Sequence, residues 1–376
     1  MMELNKLYSP YKIRNVHIKN RIVRSATSEN MATDMLPSDQ MINFYQKLAE
    51  GGTGLIITGG IAVDPSSTLT KKAPGLFEDT HVSGHKKLVT AVHDYTDVKI
   101  AAQIVHTGRL SGNRRYESVA PSSIPSLRGR VPRELTTDEI TNRIVKLFVE
   151  CGLRVYESEY DMVQLHAAHG YLLGSFLAPF TNKRTDKYGG TVSNRTRILV
   201  NIYERLRDEV GANFPIIIKL QTQDGDLPDG LTVEEGIEMA KIVADTGFDA
   251  IEPSGGGEDL FFSGTDKKLP SVEVKSPEDE NYFLPTVRKI KAMTEDCAII
   301  LMGGIKNPLS AESILQENNA DFISMSRPLI NEPDLPNRWM GGDHTPAHCI
   351  SCNKCYMTVI NDSLECYIKK KRENRE

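Results

Sequence analysis

The alternation of short apolar runs with longer amphipathic stretches constrains the fold of this chain more than any other feature. Eight such runs recur, and helical patterns lie between them. Eight parallel strands that are each followed by a helix close into a (β/α)8 TIM barrel. An open doubly wound sheet would normally carry a glycine-rich phosphate turn after its first strand, and none follows residues 21–23. The predicted strands are residues 21–23, 55–58, 100–105, 162–165, 216–220, 249–251, 299–302 and 322–325.

Two helix starts support this fold. Residues 136–139 and 232–235 both have the form Thr-x-x-Glu, in which each side chain caps the backbone of the other. The alternation of strands and helices stops near residue 340, and a group of cysteines follows. We therefore predict a barrel formed by residues 1–340 and a short C-terminal extension formed by residues 341–376.

Composition narrows the class of function. The chain has 376 residues, 39% of them hydrophobic and 25% charged, so it can bury a large core. A formal net charge of -5, with Lys and Arg scattered along the chain, provides no basic surface for nucleic acid or anionic lipid. The amino terminus lacks the apolar segment of a signal peptide, and no run of about 18 apolar residues occurs. We expect a cytoplasmic protein that binds neither nucleic acid nor membrane.

The segment after the fourth predicted strand is the most informative local feature, because it places His166, His169 and Tyr171 on one turn. In a barrel of this kind, catalytic groups lie on the loops that leave the carboxyl ends of the strands. Three hydrogen-bond donors at that place suit a carbonyl oxygen. Two histidines three residues apart are also compatible with zinc, and neutral core imidazoles are the commoner alternative.

Polar side chains end two further strands. Gln103 follows one apolar run and can both donate and accept hydrogen bonds, although it could equally satisfy loop backbone. Lys219 follows another apolar run and would bring an ammonium group to the barrel mouth. The alternative for Lys219 is an ion pair with a carboxylate such as Asp224.

A phosphate site is predicted after the last two strands. Gly303 and Gly304 follow the seventh strand, and Ser326 and Arg327 follow the eighth. This is the strand pair at which such barrels commonly hold phosphate. The alternatives are glycines that only form a tight turn and an arginine that only forms a structural salt bridge.

Six separated motifs run through roughly residues 5–340: NRIVRSA (20–26), LIITGG (55–60), AAQIVHTGR (101–109), HAAHGYLLGSFLAPFTNKRTDKYGG (166–190), ILMGGI (300–305) and SMSRPLI (324–330). Together they resemble the Old Yellow Enzyme group of FMN-dependent oxidoreductases, also called the NADH:flavin oxidoreductases. The resemblance implies that residues 1–340 form an FMN-binding barrel that NAD(P)H reduces. It also implies a homo-oligomer, since relatives are often dimers or tetramers.

The resemblance assigns flavin-binding roles to several of these residues. It places Gln103 at the pyrimidine edge and Lys219 beside N1, where many relatives carry arginine. It lets Gly60 admit the ring closely, because a side chain there would collide with it. It lays the segment 25–28 along the flavin, and the hydroxyl near O4 belongs to Ser28 in the best register or to Thr27 if the loop shifts by one. The segment comprises Ser25, Ala26, Thr27 and Ser28.

The resemblance also implies a reaction. His166 and His169 donate hydrogen bonds to the carbonyl or carboxyl oxygen of an activated alkene, so that hydride from flavin N5 attacks the β-carbon. Tyr171 then protonates the α-carbon. The expected activity is an FMN-dependent ene-reductase with a small-molecule alkene substrate. Its pocket would be shaped by the long connection of residues 107–135 and by the loop 255–257 with Phe261 and Phe262.

Four cysteines crowd the C-terminal extension: Cys349, Cys352, Cys355 and Cys366. Three interpretations stay open, namely a [4Fe–4S] cluster, a structural zinc and free thiols. The dienoyl-CoA reductase and trimethylamine dehydrogenase group carries a similar run that passes electrons to a second nucleotide-binding domain. The sequence ends at Glu376, so we expect that domain to be absent and a cluster to need a separate electron-transfer partner.

Two rival functions therefore accompany the ene-reductase. The first is an FMN and iron–sulfur electron-transfer enzyme of the dienoyl-CoA or 2-enoate reductase type, which works with a separate partner protein. The second is a barrel that binds FMN without turning over any substrate.

Overall fold

A closed barrel of eight parallel strands forms the centre of the computed structural model, which describes residues 3–127, 129–259 and 269–373. Each strand pairs with the next in chain order, and the eighth pairs with the first. The predicted (β/α)8 barrel is therefore confirmed. The strands are β1 (Ile22–Arg24), β2 (Leu55–Ile57), β3 (Lys99–Val105), β4 (Met162–Ala167), β5 (Ile216–Gln221), β6 (Ala250–Ser254), β7 (Ala298–Leu301) and β8 (Phe322–Met325).

Helices surround this barrel and continue past it. They are α1 (Asp39–Glu50), α2 (Val82–His93), α3 (Thr137–Glu139), α4 (Val145–Glu157), α5 (Leu172–Leu177), α6 (Val192–Val210), α7 (Val233–Thr246), α8 (Leu284–Lys291), α9 (Pro308–Gln316), α10 (Arg327–Asn331), α11 (Leu335–Met340), α12 (Lys354–Asn361) and α13 (Tyr367–Glu373). A π-helical turn, Ile140–Ile144, joins α3 to α4, and 3-10 turns cover Pro65–Ser67, Asp79–His81, Gly108–Leu110 and Pro277–Asp279.

Four smaller strand pairings decorate the barrel. Tyr11–Ile13 pairs with Val16–Ile18, Ala32–Thr33 with Leu36–Pro37, Val119–Ala120 with Arg133–Glu134, and Ile61–Ala62 with β3.

The sequence located the strands and two helix starts closely. All eight predicted strands are present, and their bounds differ from the predicted ones by at most three residues. Thr136 and Glu139 form a reciprocal capping box, as do Thr232 and Glu235. Each box satisfies backbone N–H groups that the first helical turn leaves without partners.

Strand alternation divides the barrel interior into an apolar floor and a polar layer. Side chains two residues apart on a strand point to the same side of the sheet. The floor contains Val23, Ala101, Met162, Ile217, Ala250 and Phe322, which pack in one cluster with Ile13 and Ile18 of the first hairpin. Two residues further along the same strands stand Ser25, Gln103, Gln164, Lys219, Glu252 and Ser324. The register of the barrel thus stacks polar groups directly above an apolar plug, at the end where the strands terminate.

The C-terminal extension packs against the loop that follows β1. The backbone N–H of Leu364 donates to the carbonyl oxygen of Glu29 (2.9 Å). Asn30 donates through Nδ2 to the carbonyl oxygen of Val359 (3.1 Å). Within the described ranges, none of the helices has the length and apolar character needed to cross a membrane.

We predict that Gly236→Ala destabilises the barrel. Gly236 faces the chain just after β5, and an added Cβ would lie 2.0 Å from the backbone oxygen of Thr222. Alanine normally favours a helix by about 1 kcal/mol over glycine, so a net loss of roughly 1–3 kcal/mol would report the collision. Urea denaturation measures it. Gly341→Ala is the matched control, because the nearest atom to its added Cβ is 3.4 Å away; equal stability of the two variants would contradict the packing argument.

Candidate active site

A cavity of about 350 Å³ opens at the carboxyl ends of the strands. Every catalytic and cofactor-binding residue predicted from the sequence lines it: Ser25, Ala26, Thr27, Ser28, Gly60, Gln103, His166, His169, Tyr171, Lys219, Gly303, Gly304, Ser326 and Arg327. They lie on seven different strands or on the loops that follow those strands, so the closed barrel brings them together.

A buried carboxylate beneath the cavity was missed by the sequence analysis. Glu252 lies 2.9 Å from the Nζ of Lys219, measured from Oε2, and both side chains are almost completely buried. Ser25 and Ser324 donate to its Oε1 at 2.7 and 2.9 Å, and Gln164 donates to its Oε2 at 3.0 Å. The signal for Glu252 was its place in an apolar strand at the inward register, next to Lys219 on β5.

The alternative of an ion pair between Lys219 and a carboxylate is found, but the partner is Glu252 and not the suggested Asp224. The carboxylate of Asp224 instead accepts from Gln221 and from the backbone N–H of Leu231 (2.8 Å). Burial raises the pKa of Asp224 to about 6, against the lowering effect of these hydrogen bonds. Proximity in sequence suggested the pairing with Asp224, whereas the strand register selects Glu252.

Gln103 reaches the cavity as part of the same network. Its Nε2 donates to the Oε1 of Gln164 (2.7 Å), which occupies the adjacent register position on β4. This contact fixes the orientation of the amide. The side chain of Gln103 therefore bonds another side chain, and the alternative that it only satisfies loop backbone is not found.

His166 and His169 form a neutral pair at the cavity wall. Their rings meet edge to face with centroids 5.1 Å apart. Burial, followed by neighbouring Lys219, lowers the pKa of His169 to about 3, and burial with His169 and Lys219 moves the pKa of His166 well below its usual value. The Nδ1 of His166 accepts from the backbone N–H of Ala168 (3.3 Å), so the proton of the neutral ring resides on Nε2. Among the described residues, no three metal-binding side chains gather around these rings, which disfavours the zinc alternative.

Local backbone geometry directs these side chains inward. His169 has a φ of 62°, in the left-handed region that a histidine rarely adopts, and its Nε2 lies 2.7 Å from the Oγ of Ser254. Tyr171 caps the start of α5, and its ring meets His166 edge to face at 4.9 Å. The three rings therefore form one wall of the cavity.

The two candidate hydroxyls near the first strand differ in their contacts. The Oγ1 of Thr27 is hydrogen-bonded to the Oγ of Ser326 and accepts from Arg24 (3.0 Å). Ser28 lines the cavity without such a link to the eighth strand in the described contacts. This favours Ser28 as the hydroxyl that meets a ligand.

The part of the cavity wall that follows β7 and β8 contains two glycines and an arginine. Gly303 and Gly304 have φ values of 120° and 78°, and a Cβ on Gly304 would lie 2.7 Å from Val274. Arg327 donates through Nη1 to the carbonyl oxygen of Val272 (2.9 Å) and to the Oδ1 of Asn353 (2.7 Å). In the described part of the chain Arg327 thus bonds neutral oxygens, and the salt-bridge alternative for it is not found.

The long connection of residues 107–135 lies beside the cavity. Arg109 is buried there, donates to the carbonyl oxygen of Pro125 (3.0 Å) and pairs with Asp259. Leu110 and Gly257 contribute to the lining, as expected of the two loops. Phe261 and Phe262 lie outside the described residues.

The four cysteines of the extension line a second cavity of about 340 Å³. Burial raises the pKa of Cys349 and Cys355, and their mutual proximity adds to the effect for Cys355. In the described ranges no three His, Cys, Asp or Glu side chains converge on a point that one metal ion could occupy. Cys355, Asn353 and Arg327 also line the first cavity.

A model of the NADH:flavin oxidoreductase / NADH oxidase family matches residues 6–344. The NADH oxidase of Thermoanaerobacter brockii is 34% identical over 360 residues, which cover 94% of this chain and 54% of that protein. The chain spans about half the length of the curated relatives that it matches.

Two solved structures show the same barrel. A 2-naphthoyl-CoA reductase complex superposes with a TM-score of 0.86 at 27% identity and covers 96% of this chain and 56% of its own. The Old Yellow Enzyme homologue from Zymomonas mobilis superposes with a TM-score of 0.75 at 27% identity, covering 91% and 94% of the two chains.

We predict that stability falls as the pH drops from about 7.5 to 5.5. Burial lowers the pKa of His85 and His106 to about 4 and that of His169 to about 3. In the unfolded chain these groups titrate near pH 6.5, so below that pH the unfolded state binds more protons than the folded state. The free energy of unfolding then falls by about 1.4 kcal/mol per pH unit for each group. The free energy of unfolding, measured in urea across this range, tests the slope.

The variant His85→Gln removes the contribution of one histidine to this pH dependence and leaves the cavity unchanged. The ring of His85 lies between the hydroxyl of Tyr160 (2.8 Å) and the carbonyl oxygen of Gly75 (3.2 Å). The variant is expected to have a shallower pH dependence, and His17→Gln, at an exposed position, serves as the control. A slope unchanged by His85→Gln would show that this ring is not held neutral.

Proposed function

The chain belongs to the NADH:flavin oxidoreductase / NADH oxidase family, and from this premise we propose that it reduces activated alkenes with electrons that NAD(P)H delivers to FMN. Membership of a family of oxidoreductases favours an enzyme over a barrel that only binds FMN. The observation that carries the alkene assignment is the wall of three rings, His166, His169 and Tyr171, facing the same cavity as Lys219 and Gln103.

The residues present fit FMN. The cavity has the size and mixed lining of a cofactor site. Gly60, Gly303 and Gly304 belong to that lining, and a Cβ at each of them would crowd a neighbouring side chain of the protein. Gln103 would bond the pyrimidine edge, Lys219 would lie near N1, and the backbone at 303–304 and 326–327 would hold the phosphate. When bound, FMN supplies the hydride that adds to the β-carbon of the alkene.

The two histidines would bind and polarise the substrate. Because both rings are neutral, they offer N–H donors to a carbonyl or carboxyl oxygen without adding net charge to the cavity. Donation to that oxygen withdraws electron density from the alkene and stabilises the charge that develops there. The lowered pKa values keep this donor arrangement unchanged through neutral pH.

Tyr171 would deliver the proton to the α-carbon. Its ring packs edge to face on His166, so the phenol and the imidazole that would polarise the substrate lie on the same side of the cavity. A phenol is protonated at neutral pH and can act as a general acid.

We predict that Tyr171→Phe slows alkene reduction by roughly 100-fold or more, the usual contribution of a positioned acid. Reduction of FMN by NAD(P)H should stay within about twofold of the unchanged enzyme, because that step needs no phenolic proton. Anaerobic stopped-flow absorbance separates the two half-reactions, with 2-cyclohexenone as the alkene. Equal losses in both half-reactions would show that Tyr171 has another role.

A second function, an enzyme that couples FMN to an iron–sulfur cluster and a partner protein, is favoured by one specific observation. All four cysteines line one cavity that shares Arg327, Asn353 and Cys355 with the first. A [4Fe–4S] cluster takes four thiolates around its periphery, whereas zinc needs its ligands close to one point. The match to the 2-naphthoyl-CoA reductase complex covers 96% of the chain, which is more than the barrel of residues 1–340 alone and so includes part of the extension.

We predict that protein purified without oxygen contains iron and acid-labile sulfide, and that Cys349→Ser lowers both while FMN is retained. Serine is a poor substitute for the thiolate that the cluster requires. Cys297→Ser is the matched control, since Cys297 is buried at the start of β7, away from the extension. Iron-free protein, or equal iron in the two variants, would exclude the cluster; zinc analysis of the same samples covers the zinc alternative.

A further inference from the structure

We propose that Glu252 is a positioning residue that sets the reduction potential of the flavin by acting through Lys219. The carboxylate fixes the place of the lysine ammonium and offsets its charge, so that reduced FMN is stabilised less than it would be by an unpaired lysine. This inference rests on the proposed seat of FMN beside Lys219.

The ion pair is built into the barrel. Lys219 on β5 and Glu252 on β6 occupy paired register positions of neighbouring parallel strands, and both point inward. Glu252 is 0% exposed and Lys219 is 2% exposed. Lys219 lines the cavity whereas Glu252 does not, so the carboxylate stands behind the ammonium as seen from a ligand.

Glu252 is fully satisfied as an anion. Two hydroxyls, one amide and one ammonium donate to it, which matches the acceptor capacity of a carboxylate. Burial would raise its pKa, but Lys219 and the donors outweigh burial, and the pKa lies below the usual value. The pair is therefore a cation and an anion rather than two neutral groups.

A paired and an unpaired ammonium present different fields to the cavity. Charges interact strongly where water is excluded, and an anion 2.9 Å behind the ammonium cancels much of its field at longer range. Among the described residues, His166 and His169, which are neutral, and buried Arg24 also lie near the pair. Lys219 and Glu252 are the charged residues that β5 and β6 themselves bring to this place.

The reduction potential compares how tightly the protein holds reduced and oxidised FMN, so it responds to charge and not to packing alone. Reduction adds two electrons and one proton and leaves the ring anionic. Removing the negative charge of Glu252 should favour that anion.

The test is Glu252→Gln in the FMN-loaded enzyme, with the potential measured by equilibration against a reference dye. We expect the variant to favour reduced over oxidised FMN at least tenfold more than the unchanged enzyme, a positive shift of about 30 mV for a two-electron couple. An unchanged or more negative potential overturns the proposal.

The variant Glu312→Gln is the control for a purely structural role of Glu252. Glu312 is also 0% exposed and accepts from backbone N–H groups of Lys6 and Leu7, but it stands on α9, outside the cavity. The control is expected to lose stability and keep its potential. A positive shift of similar size in this control would overturn the assignment to Glu252.

Lys219→Gln completes the test. The single variant Lys219→Gln should have a lower reduction potential than the unchanged enzyme. The double variant Lys219→Gln with Glu252→Gln should have the same potential as Lys219→Gln, because a buried carboxylate without its lysine takes up a proton. Because the double variant leaves no unpaired charge, its reduction potential can be measured even if Glu252→Gln does not fold. A difference between these two variants overturns action through Lys219. Unchanged potentials in both Lys219→Gln and Glu252→Gln show instead that FMN is not seated beside this lysine.

Discussion

The closed register of the eight parallel strands is the constraint on which the rest of this structure depends. Closure leaves each strand only one relative position, and alternation then decides which side chains enter the interior. An apolar floor that includes Val23 and Met162 fills the lower layer. The next inward layer consists of polar groups that have no access to bulk water, so they must satisfy one another. The network from Gln103 to Glu252 is the result.

This layer supplies the cavity with strong hydrogen-bond donors and one compensated charge. Lys219 on β5 reaches the cavity, and Glu252 on β6 offsets its charge from a distance of 2.9 Å. Burial keeps the imidazoles of His166 and His169 neutral, since the cost of a charged ring in that place exceeds the benefit of protonation at neutral pH. The wall around β4 to β6 therefore combines directional hydrogen bonding with a compensated charge, whereas Arg327 brings a guanidinium to the cavity after β8.

The sequence predicted the strands and the cavity lining because both follow from local patterns. Apolar β-branched runs mark the strands, and polar residues just past them must gather at one end of the barrel. The roles of Glu252 and Gln164 were missed because their partners depend on the register between segments that are up to 227 residues apart in the chain. For the same reason the sequence suggested Asp224 as a possible partner of Lys219, whereas the strand register provides Glu252. The four cysteines left three interpretations open, because their spacing in the sequence does not show whether the thiols are arranged for a cluster, for a single metal ion or for neither.

The C-terminal extension is part of the wall of the first cavity, and this limits how the two sites can behave. Val359 and Leu364 line that cavity, while Asn353 and Cys355 line both. Arg327 ties the shared wall together, since one nitrogen bonds both Val272 and Asn353. A group that fills either cavity must press against the same side chains, and packed walls transmit such contacts because they have few voids. The two cavities therefore share one wall, and Arg327 holds that wall in place through its contacts with Val272 and Asn353.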